Sequence, residues 1–126
     1  MERRDDIDGI VSVLQTYFNG LYHADSQQLA LVFHADARYV NTAKDDYVNY
    51  SRSEYFEVVD RRQSPASKNE LRADKIMSIA FGGENMAFAQ VQMSMMGRDY
   101  TDFLTLILAQ GRWQIIAKVF DYKPQT

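Results

Sequence analysis

Between Asp5 and Tyr22 the apolar residues Ile7, Ile10, Val11, Leu14, Tyr17, Phe18, Leu21 and Tyr22 recur at helical spacing. Asp5, Asp6 and Asp8 open this segment, where a helix dipole favours negative charge. The spacing predicts a long first helix with a wide apolar stripe. Asp25 is placed to cap a short second helix carrying Leu29, Leu31, Val32 and Phe33. Beyond His34 the period changes. Residues 37–42, ARYVNT, read as a short strand and residues 44–50, KDDYVNY, as a second. Ser51 and Glu54 have capping-box spacing and open a third helix, with Tyr55, Phe56, Val58 and Val59 as its apolar face. Residues 63–69, QSPASKN, form a loop cluster too short to link two domains.

From Glu70 onward the pattern is strand. Four long runs, 71–81, 86–96, 99–109 and 112–122, are divided by Gly-Gly-Glu-Asn, Gly97-Arg98 and Gln110-Gly111. Short polar turns between long strands predict an antiparallel meander. The predicted class is α+β, with three N-terminal helices on one face of a curved, mainly antiparallel sheet, together enclosing a cone. The 126 residues suffice for one core and are expected to form a single domain, 1–126.

The last two runs each hold a charge among apolar residues, Asp102 and Lys118. Which faces they take depends on the Gln-Gly turn. A two-residue type I′ turn needs positive φ at both positions, which suits Asn-Gly better than Gln-Gly. A three-residue loop of Ala109, Gln110 and Gly111 is therefore expected. It pairs Leu108 with Arg112 and sets Asp102 directly opposite Lys118, about 5 Å apart at Cβ. Tyr100, Leu104, Ile116 and Phe120 then flank the pair. A slip of one residue would separate the charges onto opposite faces. Charges among such neighbours need partners. Three arrangements remain open: a salt bridge that fixes strand pairing, a polar pair at the floor of a pocket, and a solvent-facing pair.

The formal charge of −3 argues against a phosphate-binding surface, so no nucleic-acid partner is expected. The sequence has no cysteine, which excludes disulfides, thiolate metal sites and cysteine nucleophiles. No secretory leader is visible in the opening residues, and no apolar run approaches the ~20 residues of a membrane helix. A cytoplasmic protein without a membrane partner is the expectation. Eight Tyr and seven Phe are many for this length; they either line a cavity or fill a bulky core.

His34 reads as a helix-end residue capping carbonyls or, alternatively, as an acid–base group; His23 reads as another terminus residue. Two histidines without HExxH or clustered-carboxylate spacing give no metal signature. Neither a nucleophile elbow nor a phosphate or dinucleotide loop occurs, and no cofactor is expected. Met93, Met95 and Met96, with Met77 and Met86, make a methionine-rich sheet region, either adaptable packing or a promiscuous apolar pocket. Tyr39, Tyr47, Tyr50, Tyr55 and Phe56 are candidates to line the mouth of the cone.

The chain resembles the NTF2-like superfamily (cystatin-like cone folds), which includes SnoaL-type cyclases, and within it the lumazine-binding branch. The residues carrying this resemblance are Tyr17-Phe18-Asn19-Gly20-Leu21-Tyr22 with Asp25, Leu29 and Phe33-His34-Ala35-Asp36-Ala37. Asp102-Phe103-Leu104-Thr105-Leu106 and the run from Gly111 to Phe120 complete it, so nearly the whole chain is covered. The resemblance implies a homodimer or higher assembly through the outer sheet face, and a small-molecule ligand in the cone. It also lets Tyr17 point inward, and either Tyr17 or Tyr39 is the expected hydrogen-bond donor. The residues expected to carry chemistry are Asp102, Lys118 and Tyr17. Those expected to line the ligand site are Phe18, Phe33, Tyr39, Tyr55, Phe56, Leu104, Ile116 and Phe120. Two functions stand open: a pocket for a small apolar or aromatic molecule, with cofactor-independent isomerase, cyclase or dehydratase chemistry, and a non-catalytic binding or dimerisation module.

Overall fold

The wide apolar stripe near the N-terminus forms α1, Arg4–Tyr22, which buries Ile10, Leu14, Tyr17, Phe18 and Leu21 and keeps Asp5 and Asp6 in its first turn. The computed structural model describes residues 3–125; Met1, Glu2 and Thr126, counted in the expected domain, lie outside the described residues. Helix α2, Ser26–Ala30, is capped by the Asp25 carboxylate, which accepts the Gln27 and Gln28 N–H groups. A Cβ at Gly20 would come within 2.6 Å of Leu29, so glycine is what lets α1 meet α2 this closely.

The second helix is shorter than its spacing predicts. Strand β1, Phe33–Asn41, begins at Phe33 and takes in His34, which is therefore a strand residue. So short a helix contributes few internal hydrogen bonds, whereas Phe33 gains a place beside Ile115 of the last strand and is 2% exposed. Strand β2 spans Val48–Ser51. Helix α3, Arg52–Arg61, starts at the expected capping box: the Ser51 side chain accepts the Glu54 N–H, and the Glu54 carboxylate accepts the Ser51 N–H. Four long strands follow, β3 Ala73–Phe81, β4 Met86–Met95, β5 Arg98–Ala109 and β6 Arg112–Pro124. The β4–β5 turn is Met96-Gly97, one residue earlier than the sequence reading placed it.

One six-stranded sheet results, in the order β2-β1-β6-β5-β4-β3. Its neighbours are antiparallel except β1 and β6, which run parallel. The fold is α+β with a mainly antiparallel sheet. Register shifts interrupt the β1–β6, β3–β4 and β5–β6 ladders, and each such irregularity adds local bend and twist. The inner face carries Val91, Leu104, Leu106 and Ile115, all fully buried, in one cluster with the stripe of α1 and with Tyr55 and Val59 of α3. On the outer face Phe103 stays 48% and Val119 38% exposed. No described helix is long and apolar enough to cross a membrane.

Candidate functional site

Two departures from regular pairing decide where Asp102 and Lys118 point. At the turn, Ala109 faces Arg112 across only Gln110 and Gly111, whose φ values of 55° and 76° are left-handed. This is a two-residue hairpin turn, not the expected three-residue loop. A primed turn matches the twist of its strands, and that match outweighs the roughly 1–2 kcal/mol cost of a left-handed glutamine. Carried along β5 and β6, the new register would put the two charges on opposite faces. Ile116 prevents this. It is an extra residue between Ile115, which faces Leu106, and Ala117, which faces Thr105.

Beyond that bulge Lys118 faces Leu104 and Asp102 faces Phe120. The expected direct pair is thus a diagonal one, and both side chains are on the inner face, Asp102 fully buried and Lys118 5% exposed. The bulge also removes Ile116 from the candidate lining: it is half-buried, while Ile115 occupies the core.

The side chains around the pair come from three elements. Tyr17 of α1 donates its hydroxyl proton to Asp102 Oδ2. Lys118 Nζ lies 3.8 Å from the same oxygen and donates to the Tyr55 hydroxyl of α3 at 3.3 Å. Four rings surround the ammonium, those of Tyr17, Tyr39, Tyr55 and Phe120, with centroids 4.9–5.3 Å away. A cation at this range is attracted to each ring face. Asp102 Oδ1 is buried without a hydrogen-bond partner.

Burial pushes the Asp102 carboxyl above its ordinary range, while Lys118 and the Tyr17 hydrogen bond pull it back. Burial also raises Tyr17 well above the usual phenol value, and the Asp102 charge raises it further. Tyr55 is raised by burial in the same way, and Tyr39 is pushed up to about 12. The phenols therefore remain protonated at neutral pH.

Of Tyr17, Asp102, Lys118 and Tyr55, Lys118 alone opens onto a cavity, of about 20 Å³, room for about one water molecule; the other three lie behind it. Its walls are Leu21, Tyr39, Arg62, Met93, Met95, Met96, Tyr100, Lys118 and Phe120. Of the candidates read from sequence, Tyr39, Phe120 and Lys118 meet this space, and so do Met93, Met95 and Met96 of the methionine-rich region, while Met77 and Met86 do not. Phe18, Phe33, Tyr55 and Leu104 are packed in the core instead, and Phe56 lies half-buried against it. The reason is aromatic crowding: the Phe33 ring sits 5.9 Å from Tyr17 and 5.6 Å from Tyr55, filling the interior of the cone. Tyr47 is 66% exposed and lines nothing inside, while Tyr50 stacks on Tyr39 with centroids 5.8 Å apart.

From sequence, Tyr100 is placed beside the pair and Leu21 on the apolar stripe of α1, neither of them as lining, and Arg62 has no assigned role, yet all three meet the cavity. Tyr100 was legible as a second-neighbour of Asp102 on one strand face; Arg62, just past the end of α3, carried no signal. A larger, shallower groove between α1 and the β5–β6 turn, lined by Asp5, Thr16, Leu31 and Trp113 among others, holds none of this chemistry. Among the described residues no three His, Asp or Glu side chains converge as metal ligands. His34 instead accepts the Asp36 N–H at its Nδ1, 3.0 Å away.

Comparison with known proteins places this arrangement in a family. The model of the family described as "Putative lumazine-binding" matches residues 5–121. A curated relative named Aldolase FrzH, from a Cladobotryum species, is 24% identical over 120 residues, covering 95% of this chain and 94% of its own. An NTF2-like protein of unknown function from Shewanella baltica OS155 superposes with a TM-score of 0.87 at 24% identity, covering 99% of both chains. A domain of unknown function with a cystatin-like fold from Nostoc punctiforme PCC 73102 superposes with a TM-score of 0.78 at 13% identity, covering 97% of this chain and 80% of its own. The chain is a member of the family described as "Putative lumazine-binding", and its fold is that of the NTF2-like proteins.

Proposed function

We propose that this protein binds a small apolar or aromatic molecule at the Lys118 cavity and carries out cofactor-independent proton transfer on it, of the isomerase, cyclase or dehydratase type. The observation that carries this reading is the Tyr17–Asp102–Lys118–Tyr55 hydrogen-bond and ion-pair chain, buried yet ending on a cavity wall. Lys118 is the member that meets the ligand. Its ammonium stabilises negative charge developing on a ligand oxygen, and Asp102, behind it, takes or returns the proton through it. Tyr17 holds the carboxylate in place.

The cavity is narrow, but Met93, Met95 and Met96 form part of its wall, and unbranched thioether side chains repack readily around a guest. The relative named as an aldolase supports the reaction type, since an aldol reaction also begins with loss of a proton beside a carbonyl. We read the setting as cytoplasmic, in keeping with a cysteine-free sequence.

The test is a titration of methyl-labelled methionine with small aromatic ketones, acetophenone first, followed by NMR. Met93, Met95 and Met96 are expected to shift, while the exposed Met77 and Met86 stay fixed. Shifts confined to Met77 and Met86, or none with any ketone, would overturn the reading.

A second reading, assembly through the outer sheet face, is favoured by one patch. Phe103 and Phe88 pack edge to face there, 5.4 Å between centroids, and Phe103 and Val119 remain substantially exposed. A homodimer would cover them. This role is compatible with a pocket on the other face.

A further inference from the structure

Resting on the pocket reading above, we infer that Lys118 captures carbonyl compounds covalently, its Nζ forming a Schiff base with a small aldehyde or ketone. Of the five lysines, Lys44, Lys68, Lys75 and Lys123 are exposed, and Lys118 alone is buried. A lysine serving only to pair two strands has no need to line a cavity, and Lys118 does line one. It has the surroundings that amine catalysis requires. A proton acceptor stands 3.8 Å away in Asp102, and the other oxygen of that carboxylate has no partner to satisfy it. A hydroxyl that can relay protons, that of Tyr55, lies 3.3 Å from Nζ. Four rings keep bulk water off the nitrogen, which protects an imine from hydrolysis.

The steps balance within these groups. The ammonium gives one proton to Asp102, and the freed lone pair forms a C–N bond with the carbonyl carbon. A second proton passes from nitrogen to the former carbonyl oxygen, with the Tyr55 hydroxyl as relay, giving a carbinolamine. The C–O bond then breaks, the oxygen leaves as water with the proton returned by Asp102, and a protonated imine remains. Overall one ammonium and one carbonyl become one iminium and one water. The iminium withdraws electrons from the adjacent carbon, so the C–H bond there breaks readily and Asp102 is again the acceptor. The substrate class follows: an aldehyde or unhindered ketone with a hydrogen beside the carbonyl.

The experiment treats the full chain with propanal or benzaldehyde and cyanoborohydride, which reduces an imine to a stable secondary amine, and locates adducts by peptide mass spectrometry. Burial alone would make Lys118 the slowest lysine to react. The expected result is the reverse, Lys118 labelled at least about 10-fold faster than any exposed lysine. Lys118→Met abolishes that adduct, Asp102→Asn slows it, and both leave labelling of the other four unchanged. Lys118 labelled last in the wild-type protein would overturn the inference, whatever the variants do. The methionine NMR titration with benzaldehyde, run without reductant, separates the two levels. Shifts at Met93, Met95 and Met96 without a Lys118 adduct reject the Schiff base and leave the pocket standing; neither signal rejects both.

Discussion

Asp102 and Lys118 share the inner face of the sheet because two single-residue shifts cancel: the turn at Gln110-Gly111 moves the register by one, and the bulge at Ile116 moves it by one more. Either alone would send one of the two charges to the opposite face. Together they leave a diagonal pair, with Nζ and Oδ2 3.8 Å apart.

The turn half of this arrangement predicts a gain of stability. Gln110 holds φ at 55°, a conformation that asparagine tolerates better than glutamine. Gln110→Asn is expected to stabilise the fold by part of the roughly 1–2 kcal/mol that a left-handed residue costs, and Gly111→Ala, at φ 76°, to destabilise it by roughly 1–2 kcal/mol. Urea denaturation of both variants checks this.

The pair itself is expected to be strongly coupled. Lys118→Met leaves a fully buried carboxylate facing only Tyr17, and removal of one partner of a buried pair costs about 3–5 kcal/mol. Adding Asp102→Leu to Lys118→Met is expected to recover most of that loss, because replacing both charges by apolar groups is often neutral or stabilising. A double-mutant cycle by chemical denaturation reads the coupling directly. Additive single effects would mean that the two groups do not interact in the folded chain.

How much of this was legible beforehand follows from the range of each interaction. Local signals were readable: Asp25 as a cap, Ser51 with Glu54 as a capping box, and the four long strands after Glu70. Phe33 was misread as helical because its strand identity comes from Ile115, eighty-two residues away in sequence, through the parallel β1–β6 pairing. The sharing of a face by Asp102 and Lys118 was expected from a wrong turn and a missed bulge, whose errors offset each other. No residue type marks Ile116 as a bulge, since isoleucine is equally at home in a regular ladder. The cavity was harder still. Whether an aromatic ring lines a space or fills it depends on side-chain packing from three elements at once, and Phe33 resolves that in favour of filling.

Acid titration should expose the buried carboxyl. Burial raises Asp102 above its ordinary 3.8 in the folded chain, so between 3.8 and the raised value the folded state binds more protons than the unfolded one. The stability this group contributes is complete below the unfolded pKa and is lost as pH rises through the folded pKa. Relative to Asp102→Asn, the wild-type protein is expected to lose stability as pH climbs from about 3.8. Urea midpoints measured at steps from pH 3 to pH 8 provide the comparison, and a relative gain over that window would contradict it.

Alkaline titration carries a second signature. Tyr17, Tyr39 and Tyr55 are all raised above the ordinary 10.0, Tyr39 to about 12. In ultraviolet difference spectra these three of the eight tyrosines are expected to ionise only above the ordinary phenol range. Because the folded chain retains those protons while the unfolded chain gives them up, stability falls as pH rises above 10.

Assembly through the outer face has its own readout. If Phe103 and Val119 are covered by a second copy, Phe103→Glu is expected to convert a dimer into a monomer in sedimentation velocity without altering ketone-induced shifts at Met95. A wild-type protein that sediments as a monomer at high concentration would reject this interface.

Proton exchange tests the role of the Asp102–Lys118 pair without knowledge of the natural substrate. Deuterium uptake beside the carbonyl of acetophenone or propanal, followed by proton NMR in heavy water, should run faster with the wild-type protein than in buffer. Asp102→Asn and Lys118→Met, each shown to be folded, should each lower that rate by about 100-fold, the lower end of what general acid–base catalysis contributes. Uptake no faster than in buffer, or equal in all three proteins, would show that the buried pair only holds the strands together.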